Sequence, residues 1–392
     1  MNKKSVLLRA PVLSMSGYGV HSRQVARWLF NAADTRGDLD ITTELLNWGQ
    51  TPWITDVYAY GSLAGRCFQA SSNVKEKYDV TIQLQLPSEW CPELGRFNVG
   101  MTAGVEASRC NPEWIACVNK MDLVVVPSEF TKQVFINSGH VTTKILVVGE
   151  SFFDEVLSYD TAEPLELDLE TKFNFLVFGQ VTGGDALSDR KNLPFTLKWL
   201  FEVFENHPDV GIILKTNMGR LTEADRHICK QSLTKLIQEA NKAENPKFYL
   251  LHGEMSEKEL VGLYKNPTIK ALVTLTHGEG FGLPILESAA CGVPVIGSNW
   301  SAHTEFLNLG MFVKLDTTLG QIPQSRVDGQ IWMAGSEWGM VNEQDFKKKI
   351  LKFYESSLTP KKIAMDARKK FAEKYSFEAI SKAYDLVFKE II

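Results

Sequence analysis

HGEGFGLPILESAACGVPVIGS, residues 277–298, sets two glutamates, Glu279 and Glu287, in an otherwise apolar run broken by glycines. Gly278, Gly280 and Gly282 surround the first glutamate. The preceding ALVTLT, ending at Thr276, reads as a buried strand. Pro284 stands where a helix begins, a position at which its missing N–H costs nothing. ILESAAC continues that helix until Gly292-Val293-Pro294 stops it. A strand, a glycine loop and a helix N-terminus in this order put the loop at the carboxyl end of a parallel strand, where open α/β sheets bind ligands. Free N–H groups and the helix dipole favour an anion there, and phosphate is the usual guest. A carboxylate repels phosphate, so the partners suited to the two glutamates are hydroxyls. One glutamate before the loop and one a turn into the helix reach opposite ends of a nucleotide diphosphate sugar, the sugar and the ribose.

The rest of the chain repeats the strand–helix alternation. VLLRA, ITTELL, DVTIQLQL, FNVGMT, LVVVP and ILVVG are the strands expected in the first half. FNFLVFG, VGIILKT, KFYLL, ALVTLT, VPVIG and MFVKL are those of the second. Several are continuous apolar runs, as strands buried on both faces of a parallel sheet are. Ser128 caps a helix that stops at Gly139, and Ser256 with Glu259 forms a capping box. The acidic stretch 156–172 reads as a linker. The last helix shows Phe377, Ile380, Tyr384 and Phe388 on one face. The expected architecture is two doubly wound, Rossmann-like α/β domains. The boundaries are 1–165 for an acceptor domain, 166–375 for a donor domain and 376–392 for a closing helix.

The totals suit that layout. The chain has 392 residues, 44% hydrophobic and 23% charged, with a net charge of −5, as in a globular protein of two cores. The balance speaks against a general nucleic-acid coat or a polybasic membrane anchor. No apolar run approaches bilayer length, and the start MNKKSVLLRAPVLSM reads as a first strand rather than a signal peptide. The six cysteines are scattered without metal-ligand spacing. A cytoplasmic protein with reduced thiols is the expectation.

The E-x7-E within EGFGLPILESAACGVPVI resembles the signature of retaining GT-B glycosyltransferases of the large family 4. HGEMSEKELVGLYKN and SNWSAHTEFL are similar to its flanks there. DLVVVPSEFTKQVFINSG resembles the end of that family's N-terminal domain, and MSGYGVHSRQVARWL its first glycine loop and helix. The resemblance covers most of the chain and is most specific at 277–305. It implies two Rossmann-like domains facing a cleft, with the last helix crossing back to the N-terminal domain. It places Glu279 on the transferred sugar, Glu287 on the ribose, and the amides of Phe281, Gly282 and Leu283, next to Gly280, on the diphosphate. The family's basic pair matches Arg190 and Lys191, cations that stabilise the leaving diphosphate as charge grows. The arginine that often follows the preceding strand is Gln180 here, so Lys215 is a further candidate. Gly17 and Gly19 form the glycine loop of the first domain. The family histidine of that domain is missing, and Glu106 is the nearest polar substitute. His277 is placed at the sugar pocket and His252 near the base. For each of these, a solvated or structural side chain is the competing reading.

The function so implied is transfer of a hexose or pentose from a nucleotide diphosphate sugar to an acceptor hydroxyl, with retention. No DxD motif stands in a suitable loop, so no metal or other cofactor is expected. The leaving phosphate takes the acceptor proton; an inverting enzyme would instead need His21 or Glu106 as base. Residues 1–165 carry 14 Lys and Arg against 18 Asp and Glu, which favours a glycan or lipid-linked acceptor over nucleic acid. Three other readings stand beside this one. They are a glycosyltransferase acting on a modified nucleic-acid base, a nucleotide-sugar-binding protein with a degenerate site, and an NAD-dependent dehydrogenase. The last lacks its G-x-G-x-x-G, since GYGVHS has no third glycine.

Overall fold

A computed structural model describes residues 3–180, 185–217, 219, 221–240 and 245–392. They divide into two compact units. The first comprises Met1–Val105, Arg109–Ser151 and Phe377–Ile392, and the second Glu106–Ser108 and Phe152–Ser376. The division falls at residues 151 and 152, ahead of the position near 165 expected from composition. The acidic stretch belongs to the second unit because its backbone is engaged there. Leu165 N donates to Gly262 O at 2.9 Å, and Asn266 Nδ2 donates to Leu165 O at 2.9 Å.

In the first unit the described strands are β1 (Lys4–Ala10), β2 (Leu39–Leu45), β3 (Tyr78–Leu84), β4 (Gly95–Met101), β5 (Leu123–Val126) and β6 (Ile145–Val147). All pairs are parallel, in the order β2-β1-β3-β4-β5-β6. The helices are α1 (Gly17–Arg36), α2 (Ala59–Ala70), α3 (Pro112–Val118) and α4 (Glu129–Ser138). Ser128 caps α4 through Thr131 N, as its position before the helix implies. The chain turns in opposite directions from β1 and β3, so the loops after these strands flank the switch point of this sheet.

The second unit holds β7 (Phe173–Phe178), β8 (Val210–Thr216), β9 (Lys247–His252), β10 (Ile269–Thr274), β11 (Val295–Ser298) and β12 (Val313–Leu315). They too are parallel, in the order β12-β11-β10-β7-β8-β9. This is the strand order of a dinucleotide-binding Rossmann sheet, with its switch point between β7 and β10. Around it lie α5 (Leu193–Phe204), α6 (Glu223–Ala240), α7 (Glu257–Lys265), α8 (Leu283–Ala290), α9 (His303–Leu307), α10 (Glu343–Glu355) and α11 (Leu358–Tyr375). Phe175, Leu197, Phe204, Ile212, Leu214, Val273 and Phe346 fill the core between sheet and helices. The capping box of α7 is formed as its S-x-x-E spacing implies. One element was not foreseen. An antiparallel hairpin, β13 (Thr317–Gln321) and β14 (Glu337–Val341), follows β12.

The final helix, α12 (Phe377–Phe388), packs on α1 within the first unit. Ile380, Tyr384 and Phe388 are buried. Trp28 lies 5.1 Å from the Tyr384 ring and 5.0 Å from Phe388, and its Nε1 donates to Asp385 Oδ1 at 2.8 Å. Phe377 is only partly buried and lies under the Arg27 guanidinium at 3.8 Å. No helix of the described residues is long and apolar enough to cross a membrane.

Candidate active site

The loops after β7 and β10 meet at the switch point of the second sheet, and Arg190, Lys191, Glu279 and Glu106 are gathered there. Asp189 organises the first loop. Its carbonyl accepts from Asn192 N at 2.9 Å, and its carboxylate accepts from Leu193 N at 2.8 Å, capping α5. Asn192 stands in the left-handed region at φ 53, and its Nδ2 donates to Leu275 O at 3.2 Å. This turn aims Arg190 and Lys191 at the second loop.

There Glu279 is buried, and its carboxylate receives both cations. Lys191 Nζ lies 2.6 Å from Oε1, and Arg190 Nη1 lies 3.3 Å from Oε2. Arg190 also donates from Nη1 to Gly278 O at 2.8 Å, and its Nε reaches Glu106 Oε2 at 2.7 Å. Four charges of zero net sum thus form one cluster. Burial alone would raise the Glu279 pKa, but Lys191 and Arg190 outweigh it and bring the value to about 2. For Glu106 burial wins and the pKa is raised despite Arg190. Arg190 loses solvation, but Glu106 and Glu279 more than restore its charge. Glu106 was expected in the first domain. It clusters with the second unit because Arg190 and the Gly278 backbone hold it there.

The backbone of Glu279 is fixed by a short relay. Its N–H donates to Ser301 Oγ at 2.9 Å, and Ser301 lies 3.3 Å from His303 Nδ1. His303 Nε2 donates to Ser298 O at 2.8 Å. Burial holds His303 below the usual imidazole range, so the serine hydroxyl donates to Nδ1. Gly278 admits no side chain, since a Cβ would stand 2.2 Å from Glu106 O.

Helix α8 starts at Leu283 with Gly282 as its N-cap and Pro284 in the first turn. The first N–H groups of a helix have no intrahelical acceptor, so the amides at 281–283 sit where an anion is favoured. Glu287 lies a turn further on, buried, with Tyr264 Oη 3.4 Å from Oε2. Burial pushes its pKa up to about 7, against the lowering by Tyr264. His277 is held by the hairpin: Nδ1 lies 2.8 Å from Gly339 O, and the ring stacks on Trp338 at 5.1 Å.

Two of the C-terminal candidates lie apart from this cluster. The Lys215 ammonium, at the end of β8, is taken up by Asn217 Oδ1 and Gly253 O, and burial lowers its pKa to about 8. His252 ends β9, partly buried, with its pKa lowered by burial and then by Lys215. In the first unit, Gly17 and Gly19 stand in the first turn of α1, capped by Ser16, and not in a loop as expected, and only one of them is sterically required. A Cβ on Gly19 would stand 1.8 Å from Ser14 O, whereas one on Gly17 would meet nothing within 4 Å. Tyr18 between them stacks on Trp48 at 3.9 Å and bonds Thr102 Oγ1 at 2.8 Å. His21 is buried against Tyr384, its Nε2 3.0 Å from the phenol oxygen, and burial lowers its pKa to about 3. It is a packed core histidine.

Asn192, Ser301, His303, Tyr264 and the hairpin were missed in the sequence. SNWSAHTEFL, which supplies Ser301 and His303, reads in the sequence only as a flank of the glycine loop. Among the described residues no group of three or more His, Cys, Asp and Glu is placed to hold a metal ion.

Residues 226–311, which include the loop and α8, match the family Glycosyl transferases group 1. Over 207 residues the chain is 27% identical to a "Probable sucrose-phosphate synthase" of Thermosipho melanesiensis. That alignment covers 52% of this chain and 40% of the relative, so the chain matches less than half of that protein's length. Among solved structures, it superposes on sucrose-phosphate synthase from Thermosynechococcus elongatus with a TM-score of 0.65 and 13% identity, covering 99% of both chains. A trehalose-6-phosphate synthase, studied for glycosyltransfer with retention, gives 0.64 at 12% identity and covers 100% of both. The fold is GT-B.

Proposed function

We propose that this protein is a retaining glycosyltransferase that moves a sugar from a nucleotide diphosphate to an acceptor hydroxyl, without a metal. The observation that carries this reading is the grip of Arg190 and Lys191 on Glu279 at the mouth of α8. Two cations and a helix N-terminus converge where a diphosphate leaving group would build up charge, which is the geometry that lowers the barrier to its departure. Glu279, ionised even in acid, is an acceptor for sugar hydroxyls beside them. Glu287, a turn into the helix, takes the ribose diol. Lys191 and Arg190 transfer their hydrogen bonds from Glu279 to the phosphates as the donor binds. The acceptor hydroxyl attacks the anomeric carbon from the leaving-group face, the glycosidic C–O bond breaks, and the departing phosphate oxygen takes the hydroxyl proton.

Retention is supported by what the site offers for the alternative. Inversion needs a general base within reach of the acceptor. His21 is sealed in the core, and Glu106 is engaged by Arg190. The sugar phosphates named in the relatives, sucrose phosphate and trehalose 6-phosphate, make phosphorylated hexoses the first acceptors to try. Lipid-linked and other glycans come second. The protein acts where its substrates are, and we place it in the cytoplasm with the nucleotide sugars.

A thermal-shift screen of UDP-, GDP- and ADP-sugars identifies the donor, and slow hydrolysis of the stabilising compound shows that it is a substrate. Proton NMR of the earliest product then reads the anomeric configuration. An α-linked donor is expected to give an α-linked product. A β product would overturn retention, and no stabilisation or turnover by any nucleotide sugar would overturn the activity.

A further inference from the structure

The hairpin β13–β14 reaches into the site at two points. Ser108 N donates to Glu337 O at 3.0 Å, and Glu337 N donates to Ser108 Oγ at 2.8 Å. Gly339 N donates to His277 O at 2.9 Å, while His277 Nδ1 lies 2.8 Å from Gly339 O. Trp338 is buried and stacks its indole on the His277 ring, the planes 6° apart, with Trp332 set edge-on behind it. The imidazole can neither tilt nor flip without breaking this stack and the Gly339 bond.

The Gly339 bond decides the tautomer. A carbonyl oxygen only accepts, so Nδ1 carries the proton. Burial, then the nearby Arg190, favour the neutral ring, against the opposing effects of Gly339 O and Asp189. Nε2 is therefore a bare lone pair, and among the described residues nothing hydrogen-bonds to it. It stands two residues before Glu279 on the same loop. A lone pair repels phosphate oxygens and calls for a donor, and the neighbouring cations Arg190 and Lys191 make their contacts with Glu106 and Glu279 and not with this nitrogen. A hydroxyl is the donor a sugar brings.

We propose that the hairpin fixes His277 as a hydrogen-bond acceptor for one hydroxyl of the transferred sugar. His277 is then a specificity residue, and Trp338 and Gly339 are its positioning residues. The assignment rests on the glycosyltransferase reading above.

His277→Phe tests it, since phenylalanine keeps the stack on Trp338 but has no acceptor. The donor sugar is the one found active with the wild type, supplied also as its series of monodeoxy analogues. The variant is expected to bind free nucleoside diphosphate within two-fold of wild type by calorimetry. Its kcat/KM for the full donor should fall about ten-fold or more, the size of one lost hydrogen bond to a committed site. One deoxy analogue should be used equally well by both proteins. In ¹⁵N-histidine NMR the His277 Nε2 should resonate as unprotonated, and Trp338→Leu should restore exchange between tautomers. A protonated Nε2, or equal losses across all deoxy donors, overturns the assignment. So does a parallel drop in nucleoside diphosphate affinity, which would make the ring a scaffold. If the wild type turns over no nucleotide sugar, the activity reading falls and this assignment with it. If the wild type is active and His277→Phe matches it on every donor, only the assignment falls.

Discussion

Among the described residues Lys191 reaches one partner, Glu279, which leaves two of its ammonium protons for a ligand. Arg190 is more constrained, because Glu106 holds its Nε and Gly278 O its Nη1. Lys191 is thus the freer of the two to follow a phosphate as its charge grows. Lys191→Ala should lower kcat more than ten-fold while donor KM changes less, since interactions made only in the transition state act on kcat. Steady-state kinetics decides this, and a rise in KM at constant kcat would make Lys191 a uniform binder. Glu287 differs in being half-ionised near neutrality, its pKa raised to about 7 by burial. A diol donates best to the ionised carboxylate, so affinity for an uncharged nucleoside should rise from pH 6 to pH 8. Glu287→Gln should flatten that profile and weaken binding by about 1.5–3 kcal/mol at pH 8. The sign for stability is the reverse. A carboxyl whose folded pKa lies above its unfolded value stabilises the fold below the unfolded value of 4.5, and that contribution is lost as pH rises towards 7. Calorimetry and thermal unfolding across this range read the two effects separately. The helix start between Glu279 and Glu287 was legible because the glycines and Pro284 mark it. The grip of Glu106 on Arg190 was not legible, because it joins two loops distant in sequence and neither carries a local pattern.

At the scale of elements, the twelve strands of the parallel sheets were each visible in the sequence, several of them as continuous apolar runs, for a physical reason. A strand buried on both faces has no polar alternation to confuse with loop sequence. The hairpin was not visible. β13 is TTLGQ, half-exposed and with glycine in it, and Gly339 interrupts β14. Its reason for existing lies in tertiary contacts with His277 and Ser108, which no local propensity records. The loop it supports is tightly packed. Gly278→Ala would push a methyl group against Glu106 O, where a Cβ has only 2.2 Å. The loop must shift, carrying Glu279 away from Lys191. Turnover should fall at least ten-fold, because sub-ångström misplacement is costly at a reacting centre, while far-UV circular dichroism stays that of the wild type. Retained turnover would show that the loop has slack the contacts do not suggest.

At the scale of the whole chain, the proposed function assigns the positive charge at a leaving diphosphate to Arg190, Lys191 and the α8 N-terminus. EDTA is therefore expected to leave turnover unchanged. Loss of activity in the chelator, restored by Mg²⁺ or Mn²⁺, would reassign that work to a metal. The strand–helix alternation of both units follows from the apolar runs and helix signals in the sequence, whereas their strand orders, which differ between the two units, do not. The point of division was not legible either, since residues 156–172 look like a linker in composition but make backbone hydrogen bonds to the second unit.

The route of the chain through the two units has a consequence for its synthesis. The first unit starts at the N-terminus but takes its last helix from residues 377–388, after the whole of the second unit has been laid down. On the ribosome, then, the part made first is finished last. Until α12 emerges, Trp28 and the α1 face around it have no cover, while the second unit can close its own core. A chain ending at Ser376 should show this directly. Its second unit should melt near the wild-type temperature. Its first unit should unfold earlier, by an amount that reflects three buried side chains at about 1.5–3 kcal/mol each, and should bind a hydrophobic dye. Two coincident transitions at the wild-type temperature would mean that the nascent first unit stands without its lid, and that vectorial synthesis leaves no half-built intermediate for chaperones to shield.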